Sequence, residues 1–278
     1  MELLRKAIPF AMLTFVVSSM LAMGLGLTVR EVVTPLRNYP LVIRAVLANF
    51  VVMPLIAIGL GRLLGLQEAQ GTGLILLGAA AGAPFLPKLA QLAKADLGFA
   101  VGLMVLLMVI TIGYLPLVLP FMLPGVTVDS WAIARSLLLL MLLPLGVALS
   151  VNARAPSMAT SVKPILDRIS SLSLIVLFIL LVVVNFTNVI GVLGTGGILA
   201  GLLFLVGGLG TGWMLGGPAR STRQVLALGT AQRNIAAALV VAGQFSDPNV
   251  VVMVVVVAIV GLVALMGTAR TIGGRAAA

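Results

Sequence analysis

The chain has 278 residues, of which 61% are hydrophobic and only 9% are charged, with a mean hydropathy of +1.26. A soluble domain carries about 25% charged residues, so this composition excludes a soluble enzyme, a disordered tail and a coiled coil. The chain has no Cys and no His, which excludes disulfides, thiolate or histidine catalysis and imidazole or thiolate metal sites. The net charge of +10 does not indicate nucleic acid, because membrane proteins collect Lys and Arg in cytoplasmic loops.

Apolar runs of about 20 residues predict an all-α polytopic membrane protein with about nine transmembrane helices. The runs are uniformly apolar, whereas strands of a membrane barrel alternate. The run after Arg5 and Lys6 is longer than the apolar segment of a signal peptide, so we expect it to be retained. The polar stretch 151–168, which contains Pro156 and Pro164, predicts a cytoplasmic loop between two halves. In chain order the predicted spans are 8–28, 41–63, 71–94, 97–122, 132–152, 169–190, 195–216, 223–245 and 248–268.

The distribution of basic residues predicts the orientation of the chain. With the N-terminus outside and the C-terminus in the cytoplasm, most of the 17 Lys and Arg residues lie on or near the cytoplasmic side. Only Lys88 and Arg233 lie deep inside predicted spans, whereas the other basic residues within the span bounds lie at or near span ends. The opposite orientation would invert this ratio, so we expect an odd number of spans.

The third span contains two prolines, Pro84 and Pro87, shortly after Gly82. Each proline lacks a backbone N–H and clashes with the preceding helical turn. This spacing predicts that the helix unwinds near the middle of the membrane, and the alternative is a simple proline kink. Such breaks occur within a membrane only where protein or a water-filled cavity satisfies the freed backbone groups.

The eighth span contains Gln232, Arg233 and Asn234 at the centre of an otherwise apolar segment, shortly after Gly229. A charged arginine side chain in lipid at that depth costs on the order of several kcal/mol, so it should face a cavity or a partner. One interpretation is a binding site for a ligand. The other is a buried structural arginine that joins helices through backbone carbonyl groups.

No carboxylate lies in the middle of a predicted span, although a buried charge needs a partner. If the protein supplies none, the substrate can supply it, which indicates an anion. Lys88 either snorkels to the membrane surface or faces the same site as Arg233. If it faces the site, Lys88 is the candidate group for taking up a proton when an anion binds.

At these segments the chain resembles the bile acid:sodium symporter family. The similarity includes residues 23–28 (MGLGLT) with Pro40, residues 92–96 (LAKAD) after the first break, and residues 232–239 (QRNIAAAL) at the second. The resemblance implies an inverted-repeat core of six helices, two of them broken and crossing, beside a smaller panel. Some members have ten helices, and the resemblance implies that this chain begins at their second. The panel would then be 8–28, 132–152 and 169–190, and the core 41–122 and 195–268.

The chain departs from the sodium-coupled members of that family at their ion ligands. Those members place a Ser-Asn pair where this chain has Leu86 and Pro87, and a Glu where it has Leu228. Only Gln232 remains of the pattern, and the hydroxyl-bearing positions after the first break hold Met104, Val105, Leu107 and Met108. We therefore expect no sodium ion at the usual sites, and no other metal or cofactor.

The sequence predicts a secondary transporter that moves a small organic anion by alternating access, with proton coupling or none. We expect an integral protein of a bacterial inner (plasma) membrane that is not an enzyme and binds no nucleic acid. The alternatives are a sodium-coupled organic anion or bile acid symporter, and a non-transporting scaffold or receptor on the same fold. The predicted substrate-binding residues are Arg233, Lys88, Gln232 and Asn234, and the predicted hinges of the broken helices are Gly82, Pro84, Pro87 and Gly229.

Overall fold

A computed structural model describes residues 2–28, 30–31, 37–123 and 129–275 of the chain. Within these ranges the regular structure is helical and contains no strand. Two long helices, Tyr39–Leu63 and Ser130–Arg154, each run through a π-helical turn, at Ala48–Val52 and Leu138–Leu142. The helices are α1 (Glu2–Leu25), α2 (Tyr39–Leu63), α3 (Glu68–Ala79), α4 (Leu86–Leu92), α5 (Leu97–Met122), α6 (Ser130–Arg154), α7 (Pro156–Val184), α8 (Phe186–Gly194), α9 (Gly197–Leu215), α10 (Arg220–Ala231), α11 (Ile235–Ala242) and α12 (Pro248–Arg275).

Eight segments of the described chain are long and apolar enough to cross a membrane. Seven are single helices, and the eighth is the pair α10 and α11, which share one apolar segment. The remaining predicted span, 71–94, is divided into α3 and α4, each too short to cross a bilayer of about 30 Å alone. The predicted class, an all-α polytopic membrane protein, is confirmed.

The predicted loop over 151–168 is wrong, because these residues are helical. Helix α6 ends at Arg154 and α7 begins at Pro156, after the single linking residue Ala155. Pro156 lies in the first turn of α7, where a missing N–H leaves no helical bond unmade. Sequence reasoning treated the prolines and polar residues as a break, whereas they form the exposed beginning of a long helix.

The helices differ strongly in how far the protein covers them. The pair α10 and α11 is 94% buried over its most apolar window, whereas α7 is only 11% buried and faces outward. Helix α1 packs against α6 and α7, α9 packs against α10, and α12 packs against α3. The pair that carries the polar residues of the eighth span is therefore enclosed by other helices, which is where a charge can be tolerated in a membrane protein.

Candidate functional site at the two helix breaks

The first break separates α3 from α4 and is an unwound segment rather than a kink. The backbone is non-helical from Ala80 to Phe85. Gly82 has a φ of +77°, and a Cβ at this residue would lie only 2.1 Å from the backbone nitrogen of Met108 in α5. Only glycine fits a left-handed conformation at such a close approach. Pro87 lies in the first turn of α4, where its missing N–H is harmless.

Thr111 of α5 satisfies the backbone of the first break. Its hydroxyl accepts a hydrogen bond from the Ala81 N–H and donates one to the Ala81 carbonyl, both at 3.0 Å. Thr111 is fully buried, so water does not replace these bonds. The break is thus part of a packed structure in which the freed backbone groups have partners, as they must in a membrane.

The second break separates α10 from α11 at Gln232–Asn234. Asn234 is the N-cap of α11, and its Oδ1 accepts a hydrogen bond from the Ala237 N–H at 3.0 Å. The second break does not lie at the predicted hinge, because Gly229 is inside α10. A Cβ on Gly229 would lie 2.8 Å from the Leu86 side chain, so this glycine provides room for α4 instead of opening the helix.

The two breaks are joined directly by hydrogen bonds. The Asn234 N–H donates to the Ala80 carbonyl at 2.9 Å, and Asn234 Nδ2 donates to the Gly82 carbonyl at 3.1 Å. Both acceptors belong to the unwound segment between α3 and α4. The structure therefore brings the two predicted broken helices to one point, which we call the crossing (residues 77–82 and 230–234).

Arg233 lies at the crossing with only 5% of its surface exposed, and every N–H of its guanidinium faces a protein acceptor. Nε donates to the Leu77 carbonyl at 2.8 Å. Nη1 donates to Asn49 Oδ1 at 2.8 Å and to the Thr230 carbonyl at 3.0 Å, and Nη2 donates to the carbonyls of Gly78 at 2.6 Å and Asn49 at 3.5 Å. This geometry favours the interpretation of Arg233 as a structural arginine. Direct binding of an anion by Arg233 stays a prediction.

Asn49 in α2 is a member of the site that sequence reasoning missed. It lies in the π-helical turn Ala48–Val52, where the Met53 N–H bonds to the Ala48 carbonyl. The next donor along the helix would come from Pro54, which has none, so the Asn49 carbonyl is free for Arg233. An asparagine in the middle of an apolar span was the signal that could have identified it.

Lys88 and Gln232 are placed differently from Arg233. Lys88 is exposed on α4 and its ammonium donates to Gln91 Oε1 at 3.1 Å, so it shares no hydrogen-bond partner with Arg233. Gln232 is 4% exposed, yet its Oε1 has no hydrogen-bond partner. It lines a cavity of about 20 Å³ beside Val257 and Gly261 of α12, which is room for about one water molecule.

Comparison with known families gives one match. Residues 13–193 match the model of the Sodium Bile acid symporter family, which covers more than half of the chain. The chain belongs to this family. No curated protein matches the chain significantly. Members of the family are membrane transporters rather than enzymes, so the chain is an integral membrane protein of a transporter family.

The positions that the resemblance aligns with sodium ligands are apolar and packed in this chain. Leu86 and Leu228 are fully buried, and both belong to one hydrophobic cluster with Leu103, Met104 and Leu107. These side chains offer no oxygen to a hard cation. Among the residues that the structure describes, no group of three or more His, Cys, Asp or Glu could hold a metal ion.

A separate apolar groove of about 920 Å³ runs along α6, away from both breaks. Its lining is apolar from Leu138 to Val147, continues past Ser150 and Arg154, and ends at Met158 of α7. Arg154 is the one charged residue in this lining, and no residue of the crossing contributes to it.

Proposed function

We propose that this protein is a sodium-independent secondary transporter for a small organic anion, working by alternating access. Membership of the sodium bile acid symporter family supports membrane transport of this class of substrate. The meeting of two broken helices supports the mechanism, since transporters bind substrates and ions near the middle of the membrane at such breaks. On this proposal α1, α6 and α7 form the panel, and the helices within residues 41–122 and 195–268 form the moving core.

The observation that carries sodium independence is the packed apolar cluster at the usual ion positions. A sodium ion beside Leu86 and Leu228 would lose its hydration shell and gain no side-chain oxygen. The nearby guanidinium of Arg233 would also repel it. Both effects act in the same direction, against a bound sodium ion.

The preference for an anion follows from the uncompensated charge at the crossing. No ion pair within the described part of the chain includes Arg233, so its acceptors are dipoles and its full charge acts on the surroundings. In a low-dielectric interior that positive charge attracts an anion over a longer distance than it would in water. Among the predicted binding residues, the Lys88 ammonium keeps donors for the anionic group, whereas the free Oε1 of Gln232 can only accept a hydrogen bond, for example from a substrate hydroxyl.

Direct contact of the anion with Arg233 or Asn234 requires the crossing to open during the transport cycle. In the present structure both side chains are occupied by backbone partners. Gly82, Pro84 and Pro87 remain the proposed hinges of that movement.

The protein is further proposed to lie in a bacterial inner membrane with its N-terminus outside. Lys88 is the proposed site of any proton coupling.

Uptake into proteoliposomes tests this function. Vesicles containing the purified protein are assayed with labelled taurocholate and a series of smaller carboxylates, in matched sodium, potassium and choline buffers. We expect saturable uptake of at least one anion above protein-free vesicles, at equal rates in the three buffers. An affinity that rises about tenfold with sodium, equivalent to about 1.4 kcal/mol, would contradict sodium independence. Binding without uptake would favour a receptor.

A further inference from the structure

The acceptors around Arg233 form a cage of five oxygen atoms supplied by three different segments. Leu77 and Gly78 contribute carbonyls at the end of α3, Thr230 contributes a carbonyl at the end of α10, and Asn49 of α2 contributes its side-chain and backbone oxygens. All five oxygens are neutral, and they lie 2.6 to 3.5 Å from the guanidinium nitrogens. A cage of neutral oxygens is suited to a cation, because each oxygen presents the negative end of a carbonyl dipole.

Four of the five cage oxygens are backbone carbonyls, and the fifth is the side-chain oxygen of Asn49. The last carbonyls of a helix lack intrahelical donors and carry the negative end of the helix dipole. Helices α3 and α10 both end at the crossing, at Ala79 and Ala231, so two such ends face one point. The proline after the π-helical turn of α2 frees the carbonyl of Asn49. Without a cation, these dipoles would be buried and facing each other.

We propose that the guanidinium of Arg233 is a covalently attached cation that fills a cation-binding cage at the crossing. Its positive charge offsets the mutual repulsion of the converging carbonyl dipoles and holds α3, α10 and α2 together, as a bound metal cation would, while the site keeps the net positive charge of the guanidinium. The chain therefore needs no dissolved cation to close the crossing. This inference deepens the proposed sodium independence and rests on it for ion coupling, but its test measures folding and needs no transported substrate.

Two consequences distinguish an arginine that acts through its positive charge from one that only fills space. First, positive charge should matter more than side-chain volume at residue 233. Second, removal of the side chain should leave a vacant cage that accepts a small cation from solution. Guanidinium is the probe that matches the missing group, and sodium and potassium are the probes for a metal cation.

The charge is tested with the pair Arg233→Lys and Arg233→Met, which have similar length and differ in charge. Thermal unfolding of purified protein in detergent is followed by the fluorescence of Trp131 and Trp213. We expect the midpoint to fall in the order wild type, Arg233→Lys, Arg233→Met, with Arg220→Ala unchanged as an exposed arginine control. An Arg233→Met variant as stable as Arg233→Lys would overturn the inference.

The vacant cage is tested with Arg233→Ala and about 20 mM guanidinium, far below the molar concentrations that denature proteins. We expect a saturable rise of the unfolding midpoint, because a ligand that binds only the folded state stabilises it. Sodium or potassium should also raise the midpoint relative to choline. Urea at the same concentration, and Arg220→Ala with guanidinium, should give no rise.

The result that overturns the cage is a folded Arg233→Ala protein whose midpoint does not respond to guanidinium, sodium or potassium. If Arg233→Ala folds only when guanidinium is present during extraction, the requirement for a cation is confirmed. If it cannot be isolated even then, while Arg233→Met is as abundant as Arg233→Lys, the inference is again overturned. Sodium-dependent transport by the wild type would contradict the proposed function without affecting these outcomes.

Discussion

Thr111 is the residue on which the backbone of the first break depends. Its hydroxyl pairs with both the N–H and the carbonyl of Ala81. Thr111→Val keeps the shape of the side chain but leaves both groups buried without partners, so we expect the free energy of unfolding to fall by about 1–3 kcal/mol. Unfolding by heat or denaturant in detergent measures this loss.

Thr268→Val is the matched control for that substitution. The Thr268 hydroxyl donates only to the carbonyl of Ala264, one turn earlier in the same helix. The Thr268 hydroxyl bonds to neither break, so we expect its loss to change the free energy of unfolding by no more than about 0.5 kcal/mol. Equal losses for the two valine variants would show that Thr111 has no special role at the break.

Lys88 is the residue whose role distinguishes a proton-coupled transporter from a facilitative one. We expect Lys88→Met to lower anion uptake by about tenfold, since the variant removes a cation with hydrogen-bonding capacity near the first break. If uptake by the wild type increases when the outside is acidified, Lys88→Met should abolish that increase. Lys94→Met, which alters an exposed lysine beyond the end of α4, is the control. Uptake unchanged in Lys88→Met would place this lysine outside the site.

The sequence identified Arg233 but could not identify its partners. A charge in an apolar run is conspicuous because so few residues of this chain are charged. Its acceptors are mostly backbone carbonyls, which every residue has, so no residue type marks them. Asn49 was the one partner with a sequence signal, and its function depends on the absence of an N–H at Pro54, six residues from the start of the π-helical turn.

Among the helices, the break between α3 and α4 depends on the close approach of α5. Gly82→Ala would place a Cβ against the backbone of Met108 and would hold an L-residue at a φ of +77°. The left-handed conformation alone disfavours alanine by about 1–2 kcal/mol. Because the contact is with backbone, no side chain can move aside, and we expect little folded protein in a thermal or size-exclusion assay.

Gly113→Ala in α5, the helix that Gly82 contacts, is the control for that substitution, because a Cβ at Gly113 meets nothing within 4 Å. We expect this variant to be as stable as the wild type. A Gly82→Ala protein that folds and unfolds like Gly113→Ala would contradict the described packing of the break on α5.

The sequence predicted the helices correctly where hydropathy alone determines their position. It failed where backbone conformation determines where a helix begins or breaks. The apolar runs located the long helices, and Pro84 with Gly82 located the first break. The predicted loop over 151–168 failed because proline favours both a loop and the first turn of a helix, and the pattern does not separate them. The sequence predicted a hinge of the second break at Gly229, whereas the break lies at Gln232–Asn234 and Gly229 allows close packing against Leu86.

At the scale of the whole molecule, alternating access requires that the crossing exchanges between closed and accessible states. In the structure the crossing is closed to water, because Gln232 is 4% exposed and faces a cavity of about 20 Å³. A movement of the proposed core against the proposed panel should expose this side chain to water during part of the cycle. Movements of this kind occur on microsecond to millisecond timescales, far faster than a labelling reaction of minutes.

The absence of cysteine from the whole chain makes this movement directly measurable, since one introduced thiol is the only one present. We expect a Gln232→Cys variant in vesicles to react with a membrane-impermeant thiol reagent, and a transported anion to change the rate of that reaction. Ala238→Cys, which lies fully buried within α11 beyond the break, should stay unlabelled, and Leu63→Cys at the exposed end of α2 should react at once. If Gln232→Cys stays as inert as Ala238→Cys with and without the anion, the crossing does not open and alternating access at this site is refuted. If the thiol reacts at a rate that no anion alters, the opening is unrelated to substrate, because a ligand shifts only equilibria between states that it binds differently.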